Sequence, residues 1–380
     1  MAAPNTMLDV NLLHGRAHHQ LQTLRSTWSN IHDCRHEVMK NHTDPKEFET
    51  WLLVHGLAET SSAVARLHNR PKPLSADSKQ PNKLLYKLGA YGDPEGKFNY
   101  PRGVCITLAG NILIADTNNH VIQQFTQFGV FVNQFGKCGT QEGEFQEPCD
   151  VIELPNGDIA VADSKNRRVQ VFTALFLYKH HIALPGPGLP YSLACSRDMD
   201  VVVATTKRKL YIFNAHDKEL KRVFSVGSKF RVKCSPVHVS LTYDSKVVIS
   251  DPQDGCIYIY TLNAQLLTYF TPEAHTSGLA VVVGGVCVTP YGEVLVADML
   301  NHVVNLYTDE GVFLQQVLTP NDDVGTPHSL ALGPDGHLAI TEFCVGGEHC
   351  VKIFRFYECP CHGGVLPARK RRRITASPDT

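Results

Sequence analysis

The chain has 380 residues, of which 43% are hydrophobic, and its formal net charge at pH 7 is -1. This length accommodates one large domain with flanking segments, and the near-neutral charge excludes binding to nucleic acid or membrane through overall electrostatic attraction. No apolar run approaches the roughly 20 residues that cross a bilayer, and no basic segment followed by an apolar core opens the chain. We therefore expect a cytoplasmic protein without membrane partners, whose 12 cysteines are reduced.

The first segment, residues 1–69, is predicted to be helical. Apolar side chains recur there with 3-4-3 spacing at Leu21, Leu24, Trp28 and Ile31, the stripe of an amphipathic helix. Residues 44–47 (DPKE) are typical of a helix start. A small helical bundle or docking helix is favoured over a coiled coil that joins two copies through residues 12–40. The Pro- and Ser-rich residues 70–82 are predicted to be a linker.

A six-fold repeat fills residues 83–357. Each copy contains an apolar strand, a turn, a second strand, a polar loop and a third strand. The second strand ends at Asp116, Asp163, Thr205, Asp251, Asp298 and Glu342, between 42 and 47 residues apart. Six copies rich in Val and Ile, punctuated by Gly, Pro and Asn, predict six four-stranded blades. The unpaired segment LLYKL, residues 84–88, is predicted to be the outer strand of the last blade, which closes the ring.

Three of these copies carry a recognisable resemblance. Residues 95–125 (EGKFNYPRGVCITLAGNILIADTNNHVIQQF), residues 142–172 (EGEFQEPCDVIELPNGDIAVADSKNRRVQVF) and residues 292–307 (GEVLVADMLNHVVNLY) resemble NHL repeats. The repeat region is similar to the propellers of TRIM-NHL proteins, whose RING and B-box zinc modules have no Cys-x-x-Cys counterpart in this sequence. The resemblance implies an all-β six-bladed propeller of NHL type, here preceded by a small helical segment.

The resemblance also implies a function. Several propellers of TRIM-NHL proteins bind single-stranded or hairpin RNA, so we expect a non-catalytic binding platform that acts in post-transcriptional regulation. The alternative is recruitment of a protein partner for ubiquitination by a RING ligase on another chain. A third interpretation is an enzyme, because propellers of this class include lyases and lactonases with a central metal. Only His328, and with it His238, would occupy axial positions, so we expect no cofactor, no metal and no catalytic residue.

In a propeller, the loops before each first strand and the loops between the second and third strands share one face. The first set offers Arg102, Cys149, Tyr191, Val237 and His328. The second set concentrates positive charge in neighbouring blades, at Lys165, Arg167, Arg168, Lys207, Arg208 and Lys209. We predict that these basic residues and Arg102 hold the phosphates of RNA or contact a protein partner, while Tyr191 and His328 stack on bases. The alternative interpretation is a solvated charged face.

Two other groups of polar residues have simpler explanations. The aspartates of the Asp-x-x-Asn pattern, Asp116, Asp163 and Asp298, are expected to tie the following loop through backbone N–H groups rather than bind a metal. A Cys/His cluster in residues 344–362 comprises Cys344, His349, Cys350, Cys359, Cys361 and His362. Without a Cys-x-x-Cys pair, accidental clustering is favoured over a zinc site.

Residues 358–380 are predicted to be a disordered basic tail. The run Arg369–Arg373 contains five consecutive basic residues. Such a run resembles a nuclear-import signal, which would add nuclear entry to a cytoplasmic protein, and it is equally well interpreted as a solvated chain end.

Overall fold

The computed structural model describes residues 84–93, 95–227, 236–273 and 280–357. The predicted helical segment, the self-association region, the linker and the basic tail all lie outside the described residues. So do Cys359, Cys361 and His362 of the Cys/His cluster. Within the described ranges, no helix is long and apolar enough to cross a membrane.

The described residues form six antiparallel sheets of four strands each. From the innermost to the outermost strand, blade 1 contains β2 (Pro101–Ile106), β3 (Ile112–Asp116), β4 (Val121–Phe125) and β5 (Phe131–Phe135), and blade 2 contains β6 (Pro148–Glu153), β7 (Ile159–Asp163), β8 (Arg168–Phe172) and β9 (Tyr178–Ala183). Blade 3 contains β10 (Pro190–Cys195), β11 (Asp200–Thr205), β12 (Lys209–Asn214) and β13 (Leu220–Ser225). Each blade is thus a meander of consecutive strands joined by short turns.

Blades 4 and 5 repeat this order, whereas blade 6 takes its outer strand from the other end of the domain. Blade 4 contains β14 (His238–Leu241), β15 (Lys246–Asp251), β16 (Cys256–Thr261) and β17 (Leu266–Phe270), and blade 5 contains β18 (Val283–Val288), β19 (Val294–Asp298), β20 (Val303–Tyr307) and β21 (Phe313–Leu318). Blade 6 contains β22 (Pro327–Leu332), β23 (His337–Phe343), β24 (His349–Arg355) and β1 (Leu84–Leu88). The predicted six-bladed all-β propeller is confirmed.

The ring closes through β1. This strand pairs antiparallel with β24, with Lys87 opposite Lys352 and Leu88 opposite Val351. The Tyr86 hydroxyl donates a hydrogen bond of 2.5 Å to the carbonyl of Gln127 in blade 1. The first described strand therefore joins the last blade to the first, as the unpaired LLYKL segment predicted.

The core lies between the blades because each sheet is apolar on both faces. The second strands β3, β7 and β19 are buried along their whole length. Between blades 2 and 3, for example, Ala162 and Val171 belong to the same buried cluster as Leu193 and Val203. Such two-sided burial explains the continuous Val- and Ile-rich runs in the sequence, which a sheet with one solvated face would interrupt with polar residues.

Asp116 shows what the Asp-x-x-Asn pattern does. Its carboxylate accepts hydrogen bonds from the backbone N–H of Asn99 at 2.7 Å, from the side chain of Asn119 at 2.7 Å and from that of Gln123 at 2.8 Å. Burial raises the pKa of Asp116 to about 6. The aspartate therefore joins the loop before the first strand to the loop after the second. It has the expected structural role, but it holds the following loop through the side chain of Asn119, and the backbone N–H comes from the preceding loop.

Blades 2 and 6 keep this connection with different side chains. Asp163 accepts a hydrogen bond of 2.7 Å from the backbone N–H of Gln146. In blade 6 the equivalent Glu342 accepts one of 3.0 Å from the N–H of Gly325 and pairs with the buried Lys352 at 3.0 Å. Blade 6, whose sequence departs from the NHL pattern, thus preserves the structural role of this position.

Candidate ligand-binding face

One face of the propeller, here called the loop face, carries both predicted sets of loops. Backbone hydrogen bonds join them directly: the N–H of Lys165 donates to the carbonyl of Gln146 at 3.0 Å, and the N–H of Thr206 donates to that of Leu189 at 3.0 Å. The two sets therefore lie side by side, as the propeller topology predicts.

The innermost strands enter the loop face at β-bulges. In five blades the register shifts directly after the first residue of the innermost strand. Because a bulge changes the direction of the side chains beside it, these register shifts determine which side chains face the propeller axis at the loop face. A small cavity, here called the central cavity, is lined by Arg102, Gly103, Cys149, Asp150, Tyr191, His238, His328, Ser329 and Phe343.

Blade 4 differs, and this difference places His238 in the cavity. The loop pattern predicts Val237 on this face, but Val237 is fully buried in the core; His238, the second predicted axial histidine, lines the cavity. The reason is that β14 pairs regularly with β15 from His238 onward, without a register shift. Because side chains alternate along a strand, Val237 and Val239 point into the core between the blades and His238 points into the central cavity. The Val-His-Val pattern in the sequence agrees with this placement of His238.

Arg102 supplies the positive charge of the central cavity. Its guanidinium carbon lies 5.8 Å from the centre of the Tyr191 ring, and its Nη1 lies 3.8 Å from the Sγ of Cys149. The Nε atom of Arg102 is buried and has no hydrogen-bond partner among the described residues. A half-buried guanidinium with a donor left over can bind an acceptor from outside the protein.

The two histidines of the cavity are neutral at physiological pH. Burial lowers the pKa of His238 to about 3 and that of His328 to about 4. The ring of His238 meets Tyr191 edge-on at 5.2 Å between centroids, and burial raises the pKa of Tyr191 to about 12. The aromatic and imidazole rings of the cavity wall are therefore uncharged beside the cationic side chain of Arg102.

The remaining acidic group of the cavity, Asp150, is committed to the structure. Its carboxylate accepts hydrogen bonds from the N–H of Leu193 at 2.8 Å and of Val151 at 2.9 Å, and it thereby links blade 2 to blade 3. Burial raises the pKa of Asp150 to about 7. A Cβ atom at Gly103 would stand 2.3 Å from its Oδ1, so the close approach of blades 1 and 2 requires glycine there.

Four of the predicted basic residues form a rim on blades 2 and 3. Lys165, Arg167 and Lys207 are exposed and Lys209 is half-buried; these four residues are called the basic rim. Within it, Lys165 lies 3.7 Å from the carboxylate of Glu147, and Arg167 donates a hydrogen bond to the carbonyl of Gly186. An exposed ion pair of this kind stabilises little and leaves the ammonium group accessible.

The prediction was wrong for Arg168 and Arg208, whose side chains are buried rather than exposed. Arg168 is 8% exposed, and its Nε lies 2.8 Å from Asp163 within the same blade. Arg208 is 5% exposed and forms ion pairs with Asp251, at 2.5 Å, and with Asp254 of the next blade. Both guanidinium groups hold loops of the propeller together, so neither is available to a ligand.

The described part of the Cys/His cluster does not form a metal site. His349 accepts a hydrogen bond from the N–H of Tyr100 at 3.0 Å through Nδ1, and its Nε2 lies 3.2 Å from the carbonyl of Cys344. Cys344 is exposed and Cys350 is buried. Among the described residues, no group of three or more His, Cys, Asp or Glu side chains is arranged to hold a metal ion.

Comparison with known proteins identifies the repeat. The family described as NHL repeat matches residues 98–125, in blade 1. Protein brain tumor of Drosophila melanogaster is 46% identical over 57 residues, which is 14% of this chain and 6% of that protein. The B-box type zinc finger protein ncl-1 of Caenorhabditis elegans is 35% identical over 92 residues, 22% of this chain and 11% of that protein. The chain therefore matches only a small part of the length of these relatives.

Among solved structures, one described as a streptogramin B lyase structure superposes with a TM-score of 0.53 at 13% sequence identity. It covers 70% of this chain and 96% of that one. At this identity the likeness shows a shared fold only. The described residues therefore form a six-bladed β-propeller whose blade 1 matches the NHL repeat, and this propeller resembles the propellers of TRIM-NHL proteins.

Proposed function

We propose that the propeller is a non-catalytic platform that binds single-stranded or hairpin RNA on its loop face and acts in post-transcriptional regulation. The observation that carries this proposal is Arg102, whose Nε has no partner among the described residues and whose guanidinium group lies above the Tyr191 ring. A cation set among flat aromatic surfaces suits the two components of single-stranded RNA, its phosphates and its bases.

The basic rim extends this site outward. Lys165, Arg167 and Lys207 are exposed on the face where the central cavity opens, so a strand that crosses from the cavity over blades 2 and 3 meets positive charge along its path. Because the chain as a whole is near neutral, this attraction is local to one sector. The RNA is then expected to follow a defined path across the face.

Charge reversal on the basic rim is expected to weaken RNA binding. We expect Lys165→Glu/Lys207→Glu to lower the affinity for a single-stranded RNA at least tenfold, because two phosphate contacts become repulsive. The slope of log K against log salt concentration should fall in magnitude by about 1 to 2. Fluorescence anisotropy with a labelled RNA library, titrated at several salt concentrations, measures both quantities.

The matched control reverses two charges at the opposite end of blade 3. Lys218→Glu/Arg222→Glu changes two exposed basic residues in the turn and outer strand of blade 3, away from the loops of the loop face, and it should leave affinity and slope nearly unchanged. If folded protein binds no RNA even at low salt, the RNA proposal fails. Recruitment of a protein partner for ubiquitination by a RING ligase on another chain then becomes the better account of the loop face.

In this proposal the chain works in the cytoplasm. Arg369–Arg373 serves as a candidate signal for nuclear entry, and residues 12–40 as a candidate region for self-association. In this proposal the central cavity is not a catalytic centre: its carboxylate, Asp150, is held by two backbone N–H groups, and burial lowers the pKa of His238 to about 3 and that of His328 to about 4, which makes both weak bases.

A further inference from the structure

The tautomer of His328 is fixed by its surroundings. Its Nε2 lies 3.0 Å from the carbonyl oxygen of Phe343, and because a carbonyl can only accept, Nε2 carries the proton. The ring also stacks on Phe343, with centroids 3.7 Å apart and planes 9° from parallel. The neutral ring therefore presents an unprotonated Nδ1, which can only accept a hydrogen bond, and no described residue donates one to it.

The cavity thus offers one acceptor and one donor to an incoming ligand. The acceptor is Nδ1 of His328, and the donor is the guanidinium group of Arg102, whose Nε is without a partner among the described residues. Both side chains line the same small cavity. A phosphate group has only acceptor oxygens. It would accept a hydrogen bond from Arg102, but its oxygens would face the unprotonated Nδ1 of His328, which is also an acceptor. The edge of a nucleobase, with an N–H beside an acceptor, satisfies both groups.

We propose that the central cavity receives the edge of one unstacked nucleobase, whose N–H donates to His328, while the phosphates of the strand lie on the basic rim. This inference rests on the proposed function, since it divides the RNA between two parts of the loop face. His328 is then a residue that selects for a donor group on the base. Phe343 is a positioning residue, because its carbonyl and its ring hold the imidazole in one tautomer and one plane.

The test uses the full chain and oligouridine, because uracil carries a single N–H, at N3. Each position of the oligonucleotide is replaced in turn by N3-methyluridine, which removes that donor and leaves the backbone unchanged. We expect one position at which methylation weakens binding about tenfold. The variant His328→Phe, which preserves a flat ring against Phe343 without an acceptor, should bind the unmodified and the modified RNA equally at that position.

A matched variant and a second scan separate the alternatives. Arg167→Gln lies on the basic rim, so it should weaken both RNAs to the same extent and preserve the methylation effect. A parallel scan with single methylphosphonate linkages tests for a phosphate in the cavity. The proposal would be overturned in favour of phosphate binding by two results together. One methylphosphonate linkage would weaken binding to the unaltered protein but not to Arg102→Gln, and N3-methylation would weaken binding at no position.

The remaining outcomes are also decisive. A methylation effect that persists unchanged in His328→Phe would show that another residue reads the base, which contradicts the inference while the RNA proposal stands. Complete failure of oligouridine and of the RNA library to bind the folded chain would overturn both. In the supporting case, recording the ¹⁵N resonances of His328 should show an unprotonated Nδ1 in the free protein and a shift of that resonance on binding.

Discussion

A chain that lacks residues 1–88 is expected to lose the cooperative unfolding of the propeller, whereas a chain that lacks only residues 1–83 keeps it. The two truncations differ by β1, the outer strand of blade 6. Without β1, the edge of β24 is exposed and Leu88, only 4% exposed, no longer fills the cluster that it shares with Phe98 and Val351. Loss of a single buried leucine already costs about 2–5 kcal/mol.

The strand also connects the two ends of the ring, so its removal breaks a contact that no neighbouring blade replaces. We expect the melting temperature of the chain without residues 1–88 to fall by about 10 °C or more, since the total stability of a domain is only about 5–15 kcal/mol. Circular dichroism during heating compares the two truncations with the full chain. Equal melting temperatures for both would show that the ring does not depend on β1.

The second large effect is expected at Arg208. Arg208→Ala removes the cation between Asp251 and Asp254 and leaves these carboxylates buried without it. Breaking a buried ion pair from one side costs about 3–5 kcal/mol. The interface between blades 3 and 4 should therefore weaken, and the midpoint of urea unfolding should fall accordingly.

Arg167→Ala is the matched control for this change. It removes an arginine of the corresponding loop in blade 2, but one whose side chain is exposed, so its effect on the free energy of unfolding should stay within about 1 kcal/mol. Equal destabilisation by the two variants would contradict the assignment of Arg208 to the core of the loop face and of Arg167 to its surface.

The fold was predictable because the propeller repeats its local rules. The positions that end the second strands, Asp116 among them, recur with a period of one blade, and the alternation of strands and glycine-containing turns follows directly from the residues. Closure by β1 was predictable as well, since LLYKL had no partner within its own repeat. These features depend on neighbours in sequence, which a single chain displays.

The candidate site was less predictable because it depends on contacts between blades. A basic residue in a polar loop looks the same whether it is solvated, as Lys165 is, or bound to carboxylates of the next blade, as Arg208 is. Similarly, counting positions could not reveal that blade 4 lacks the bulge found in the other five, so the loop residue expected there, Val237, is buried and the axial candidate His238 lines the cavity. Long-range packing decides both cases, and the periodicity of a repeat does not encode it.

The most direct test of the loop face as the RNA-binding surface is photocrosslinking of the full chain to single-stranded RNA that contains 4-thiouridine, followed by mass spectrometry of the crosslinked peptides. We expect adducts on peptides that carry Tyr191 and Phe343, at the central cavity, and their loss in Arg102→Gln. Adducts confined to the tail around Arg369–Arg373, or to the turns on the opposite face near Phe128 and Leu175, would contradict it.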